Sequence, residues 1–137
     1  MEGFEQAVEQ YHQALREVAK GNPEPVLRMF SGRPDVLLCN PFRPFARGPD
    51  EVAEATREAA ARFHEGEITF SIVARHGGSD LGYIVETEDF TGWLDGGGSG
   101  SLRVTTIFRS EDDEWKVAHR HADAVTTPKS PESVLAK

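Results

Sequence analysis

The chain has 137 residues, 38% of them hydrophobic and 28% charged, which is the composition of one globular domain and too little for two. Lys and Arg number 15 against 23 Asp and Glu, a net charge of −8, so the surface as a whole is unsuited to nucleic-acid phosphate or anionic lipid. A lone cysteine, Cys39, excludes an internal disulfide and a cysteine zinc cluster; no apolar run nears the ~20 residues of a membrane span, and the acidic start Met1-Glu2-Gly3-Phe4-Glu5 is unlike a signal peptide, so a soluble cytoplasmic protein is expected.

Phe4, Val8, Tyr11, Leu15 and Val18 recur at helical spacing, which predicts a first helix that Gly21 stops. Asn22-Pro23-Glu24 is a start signal for a short second helix with Val26, Leu27 and Phe30 on its apolar side. Asp35 to Asn40 reads as a buried strand, and Pro41 and Pro44 make the next segment a loop. A third helix opens at Gly48-Pro49-Asp50-Glu51, carries Val52, Ala55, Ala59 and Phe63 on one face, and closes at Gly66. Four strands follow: Ile68 to Ala74, Tyr83 to Trp93, Leu102 to Arg109 and Trp115 to Asp123. Gly77-Gly78, the Gly96 to Gly100 stretch and the acidic run Glu111 to Glu114 separate them. Residues 126–137 read as a tail after a single domain over residues 1–125. Helices first and an antiparallel meander afterwards give an α+β class.

With these landmarks, the order α-α-β-α-β-β-β-β resembles the nuclear transport factor 2-like superfamily. More narrowly it resembles the SnoaL-like, ketosteroid-isomerase-like branch and the related association domain of calcium/calmodulin-dependent kinase II. The residues that carry the resemblance are Arg103-Val-Thr-Thr-Ile-Phe-Arg109 and Trp115-Lys-Val-Ala-His-Arg-His-Ala-Asp123, with Gly21-Asn22, Asn40-Pro41 and Arg47-Gly48 in support. The resemblance covers about residues 4 to 125 and implies a cystatin-like cone. Three N-terminal helices pack on a curved, mainly antiparallel sheet with a central pocket. It also implies a homodimer built on the outer sheet face; no cofactor is expected.

A gapless alignment to the isomerases implies that Tyr83, Val85, Thr87 and Asp89 face the pocket, with Arg103, Thr105 and Ile107, and with Ala118, Arg120 and Ala122. Phe108, Trp115, Val117, His119 and His121 then fall outside, and the first three form an apolar patch suited to a dimer. Asn40 stands where the isomerases have a catalytic aspartate, and an amide is no base at neutral pH. The isomerases' helix-one tyrosine falls at Ala14, a turn after Tyr11, and their strand acid near Thr105. Asn40 either orients a ligand or caps the turn before Pro41. Arg103 and Arg120 either form a cationic floor, or Arg103 bridges across the hairpin to Asp89 or Glu88. His119, His121 and Asp123 share one strand face. The types suit a metal or acid-base work, but their outward direction reads as structural, and no metal is expected.

Two functions follow as expectations. One is a binder of a small hydrophobic or aromatic molecule, with an anionic group allowed, that could serve isomerisation, dehydration or cyclisation. Its polar groups would be Tyr11, Asn40, Thr87, Arg103 and Arg120. The other is a non-catalytic dimeric association or ligand-sensing module.

Overall fold

Seven of the 16 residues of α1 (Phe4–Ala19) are buried, all on one stripe: Ala7, Val8, Tyr11, Ala14, Leu15, Val18 and Ala19. This 3.6-residue pattern lays the helix across a sheet. Gly21, at φ +91°, ends it in a conformation that side chains resist. The structure is a computed structural model that describes residues 3–136. It adds α2 (Glu24–Met29) and α3 (Gly48–Ala61) to form a layer of three helices on one face of a six-stranded sheet.

The strands are β1 (Leu37–Asn40), β2 (Arg43–Arg47), β3 (Ile68–Gly77), β4 (Leu81–Trp93), β5 (Gly98–Glu111) and β6 (Glu114–Ala124). Their spatial order is β2-β1-β6-β5-β4-β3. The last four form the expected antiparallel meander, and β1 joins it parallel to β6. The loop expected after Pro41 contains β2, an antiparallel edge strand beside β1. Pro44 is tolerated there because an edge strand needs backbone donors on one side only.

The facing of the long strands differs from the expectation. Along the middle of β4 the buried side chains are Ile84, Glu86 and Glu88; along the middle of β5 they are Val104, Thr106 and Phe108. Tyr83, Thr87, Asp89, Arg103 and Thr105 therefore occupy the outer face, one residue out of step with the gapless alignment. The β4–β5 pairing behind that expectation is present, since Thr87 lies opposite Arg103. The inner and outer labels are exchanged on β4 and β5, whereas Arg120 and Ala122 of β6 face inward as expected.

Strand β6 adds a second irregularity. Phe108 pairs with Val117, but Ile107 pairs with His119, so Ala118 is an extra residue on β6. On the turn side of this bulge, Trp115 and Val117 point inward. Beyond it, Arg120 and Ala122 do. Phe108, Trp115 and Val117 are thus core, and the outer apolar patch on which the dimer expectation rested is not there.

The inward set builds one core. The Phe108 ring lies between Phe4 at 5.4 Å and Tyr11 at 5.3 Å, both edge-on, and Phe4 also meets Trp115 at 5.4 Å. The Phe4 ring sits in a notch at Gly77 and Gly82, where any Cβ would collide with it. Near the β5–β6 turn, the buried Glu111 carboxylate accepts hydrogen bonds from Ser31 Oγ (2.8 Å) and Arg109 Nε (2.7 Å). Arg109 continues to Asp35, which ties the segment before β1 to β5.

Truncating Trp115 to Ala opens a core cavity and is expected to cost about 3–5 kcal/mol. The melting temperature should then fall by more than about 10 °C in a circular-dichroism melt. A fall of only a few degrees with a changed mass in light scattering would instead put Trp115 on a surface between copies.

Candidate functional site

Glutamate is rare inside a sheet because its charge must be paired there. Here two glutamates, Glu86 and Glu88, are each 1% exposed on the inner face of β4. Both Glu88 oxygens are held by Arg120 of β6, from Nη1 at 2.9 Å and Nη2 at 2.8 Å, a two-pronged pair that spans β5. Arg120 Nη1 also donates to the Tyr11 hydroxyl at 2.9 Å, and the Thr106 hydroxyl donates to the same oxygen at 3.3 Å. Burial alone would lower the Arg120 pKa, but the Glu88 charge holds it well above its ordinary value. Burial pushes the Tyr11 phenol up, against the pull of Arg120.

Glu86 has a different partner, the imidazole of His12, with Nε2 2.6 Å from Oε1. The His12 ring stacks on Phe70 at 3.9 Å. The other Glu86 oxygen, Oε2, is buried with no partner among the described residues. Burial raises the Glu86 pKa; the His12 contact opposes this and the neighbouring Glu88 charge adds to it.

Beside the Arg120–Glu88 pair opens a cavity of about 130 Å³. Its walls are aliphatic (Leu15, Val18, Val26, Leu38) and aromatic (Phe30, Phe63, Phe90, Trp93). At its mouth stands Phe42, 65% exposed, with its ring stacked on Trp93 at 5.4 Å and 11°. The turn that carries Phe42 is fastened twice. Asn40 Oδ1 accepts the N–H groups of Phe42 (3.0 Å) and Arg43 (2.9 Å), and the Arg43 guanidinium reaches Glu54 (2.7 Å) and Glu58 (3.0 Å) on α3. Trp93 is set by a kink, with positive φ at Gly92 (+78°) and Leu94 (+63°).

The family model of the SnoaL-like domain matches residues 4–126. The chain belongs to the SnoaL-like domain family. Solved structures agree on the fold. A candidate calcium/calmodulin-dependent protein kinase type II association domain from Thiobacillus denitrificans is 16% identical, with 90% of this chain and 96% of that one covered at a TM-score of 0.76. A ketosteroid isomerase-like protein from Erwinia carotovora is 18% identical over 90% and 94%, at 0.73. A candidate dehydratase of the NTF2-like family from Streptomyces avermitilis is 20% identical over 90% and 94%, at 0.72. No curated protein matches the sequence. At these identities the likeness carries the fold and leaves activity open.

Within this SnoaL-like domain, Tyr11 and Arg120 lie together in the buried network, and Asn40 and Arg120 border the cavity. The other candidates lie elsewhere. Tyr83 is 41% exposed on the outer face, with Thr87, Asp89, Arg103 and Thr105 on the same side. Arg103 approaches Asp123, its partner across β5–β6, at 3.6 Å, rather than Asp89 or Glu88. Asp89 instead accepts a hydrogen bond from Ser101. His119 contacts the Leu37 carbonyl at 3.0 Å, and His121 lies 3.3 Å from Asp123. Among the described residues no group of three or more His, Cys, Asp and Glu side chains is placed to hold a metal ion.

The sequence reading missed Glu86, His12 and Thr106 and treated Glu88 only as a bridge partner. One signal was available. On β5, Val104, Thr106 and Phe108 are more apolar than Arg103, Thr105 and Ile107, so alternation alone puts the first set inside.

Two stability measurements probe this network. Arg120→Met strands the Glu88 charge and is expected to cost about 3–5 kcal/mol in urea unfolding, whereas Arg120→Met with Glu88→Leu costs far less. Equal losses in both variants would deny the pairing its role. The raised pKa of Glu86 means that the folded chain keeps a proton there that the unfolded chain releases. The resulting stabilisation is complete below the ordinary carboxyl value of 4.5 and is lost as pH rises through the raised value. The advantage of Glu86→Gln over wild type in melting temperature should therefore widen from about pH 4 to about pH 8. A margin independent of pH would contradict this.

Proposed function

We propose that this SnoaL-like domain binds a small, mainly hydrophobic molecule in the cavity between sheet and helices. The observation that carries the reading is the Arg120–Glu88 pair at the wall of a cavity otherwise lined almost wholly by aliphatic and aromatic side chains. Neither feature is the most stable way to fill that space. Buried ion pairs are often matched or bettered by hydrocarbon, and empty volume forfeits dispersion contacts. Binding sites combine the two, with apolar walls and a few convergent polar groups.

Binding is our reading rather than proton abstraction for two chemical reasons. Asn40 is an amide, far too weak a base to remove a proton beside a carbonyl. Both oxygens of Glu88 are already engaged by the two terminal nitrogens of Arg120.

Ala59 supplies the test. It lines the cavity from α3 and is half-buried, so a larger side chain there fills the space with little cost to the fold. In a thermal-shift screen of hydrophobic fragments, hits at about 100 times their Kd should stabilise wild type by about 2.7 kcal/mol. Ala59→Phe should abolish that gain while the ligand-free melting temperature stays within a few degrees of wild type. Hits that stabilise both proteins equally would overturn the reading.

A further inference from the structure

The binding reading can be narrowed to a ligand class by the size and the charge balance of the same cavity, and the inference rests on that reading. A cavity near 150 Å³ lined by Leu, Ile and Phe accommodates benzene. The cavity here, about 130 Å³, matches one six-membered ring. Aromatic faces and edges reach it from several elements: Phe30 after α2, Phe63 after α3, Phe90 and Trp93 on β4, and Phe42 at the mouth. A flat ring meets such walls with stacked and edge-on contacts.

The charge balance decides the polar end. Arg120 is the cation on the wall, and its two terminal nitrogens already hold both oxygens of Glu88, with Tyr11 as a third partner. Cation and anion cancel, so the wall offers no net positive charge to an anionic ligand, and a ligand carboxylate would sit beside the Glu88 carboxylate. The Glu88 oxygens keep spare lone pairs, so they can accept a further hydrogen bond. Thr56 is not available as a donor, because its hydroxyl donates to the Val52 carbonyl at 2.8 Å. The Asn40 Oδ1 is likewise taken by two backbone N–H groups, which leaves its amide N–H₂ as a donor. A group that both donates and accepts, without charge, fits this set. A hydroxyl does so; a carboxylate cannot donate at all.

We propose that the cavity takes a neutral, single-ring aromatic molecule bearing a hydroxyl group, with the ring held among the aromatic walls and the hydroxyl at the Arg120–Glu88 pair. Anything attached to the far end of the ring leaves past Phe42, where the cavity meets solvent.

The test is an amide-resonance titration of the full chain with three probes near neutral pH. The probes are 4-methylphenol (neutral, one ring), 4-methylbenzoate (the same ring with a charge) and 9-phenanthrol (a neutral hydroxyl on the middle of three fused rings). The expected result is saturable shifts at Asn40, Phe42, Glu88 and Arg120 with 4-methylphenol, and a Kd at least about tenfold lower than that of 4-methylbenzoate. No shifts at those residues are expected with 9-phenanthrol. If 4-methylbenzoate binds as tightly, or 9-phenanthrol fills the site, the ligand class is wrong while the binding function stands. If no probe moves a cavity resonance, the ligand class is wrong, and the binding reading is decided by the Ala59→Phe comparison.

Discussion

A guanidinium inside a sheet face must bring its own counter-charge, and in this SnoaL-like domain that demand organises the interior. Arg120 on β6 reaches over β5 to Glu88 on β4, so one ion pair fastens three strands from the inside. Its third contact, to the Tyr11 hydroxyl, fastens the sheet to α1. The side chains involved are almost fully withdrawn from water, 12% exposed for Arg120 and 2% for Glu88, so each depends on the other. The arrangement fixes geometry more than it adds stability, because every donor and acceptor must be met in direction as well as in number.

That fixed floor and the apolar walls are complementary. The walls give size selection and the floor gives polarity, and they come from different parts of the chain. Helices and the C-terminal end of β4 supply hydrocarbon, while the middle of the sheet supplies charge. The mouth is built separately again, from a short turn between β1 and β2 stapled to α3 through Arg43. Variation in the turn could then alter what enters without disturbing the buried pair.

Element order and the antiparallel meander were legible because they depend on local signals: Gly21, Asn22-Pro23, Gly48-Pro49 and the alternating runs after Gly66. The resemblance to SnoaL-like proteins rested on the same order and on the last two strands. Which face of β4 and of β6 turns inward was not legible, for two physical reasons. Glu86 and Glu88 look like solvent-facing residues in a run that also offers Tyr83, Val85 and Thr87, and only partners 32 to 74 residues distant make their burial tolerable. The Ala118 bulge then changes parity within one strand, so Val117 and Arg120 share a face although three positions apart. Strict alternation cannot represent that. The edge strand β2 escaped for a simpler reason. Proline argues against strand unless the strand is known to lie at an edge, and that is a fact of topology.

The notch at Gly77 and Gly82 has a consequence for α1 as a whole. By admitting the Phe4 ring, it sets how far the helix is turned about its own axis. Seven residues later a helix has drifted only about 20°, so Tyr11 comes back to the same side and meets the same Phe108 ring. The next residue, His12, is thereby swung toward Glu86 rather than toward solvent. Two missing side chains at the far end of the sheet thus act as a keyway for a rod. The angle they impose there selects which hydroxyl and which imidazole are delivered to the charged residues at the centre.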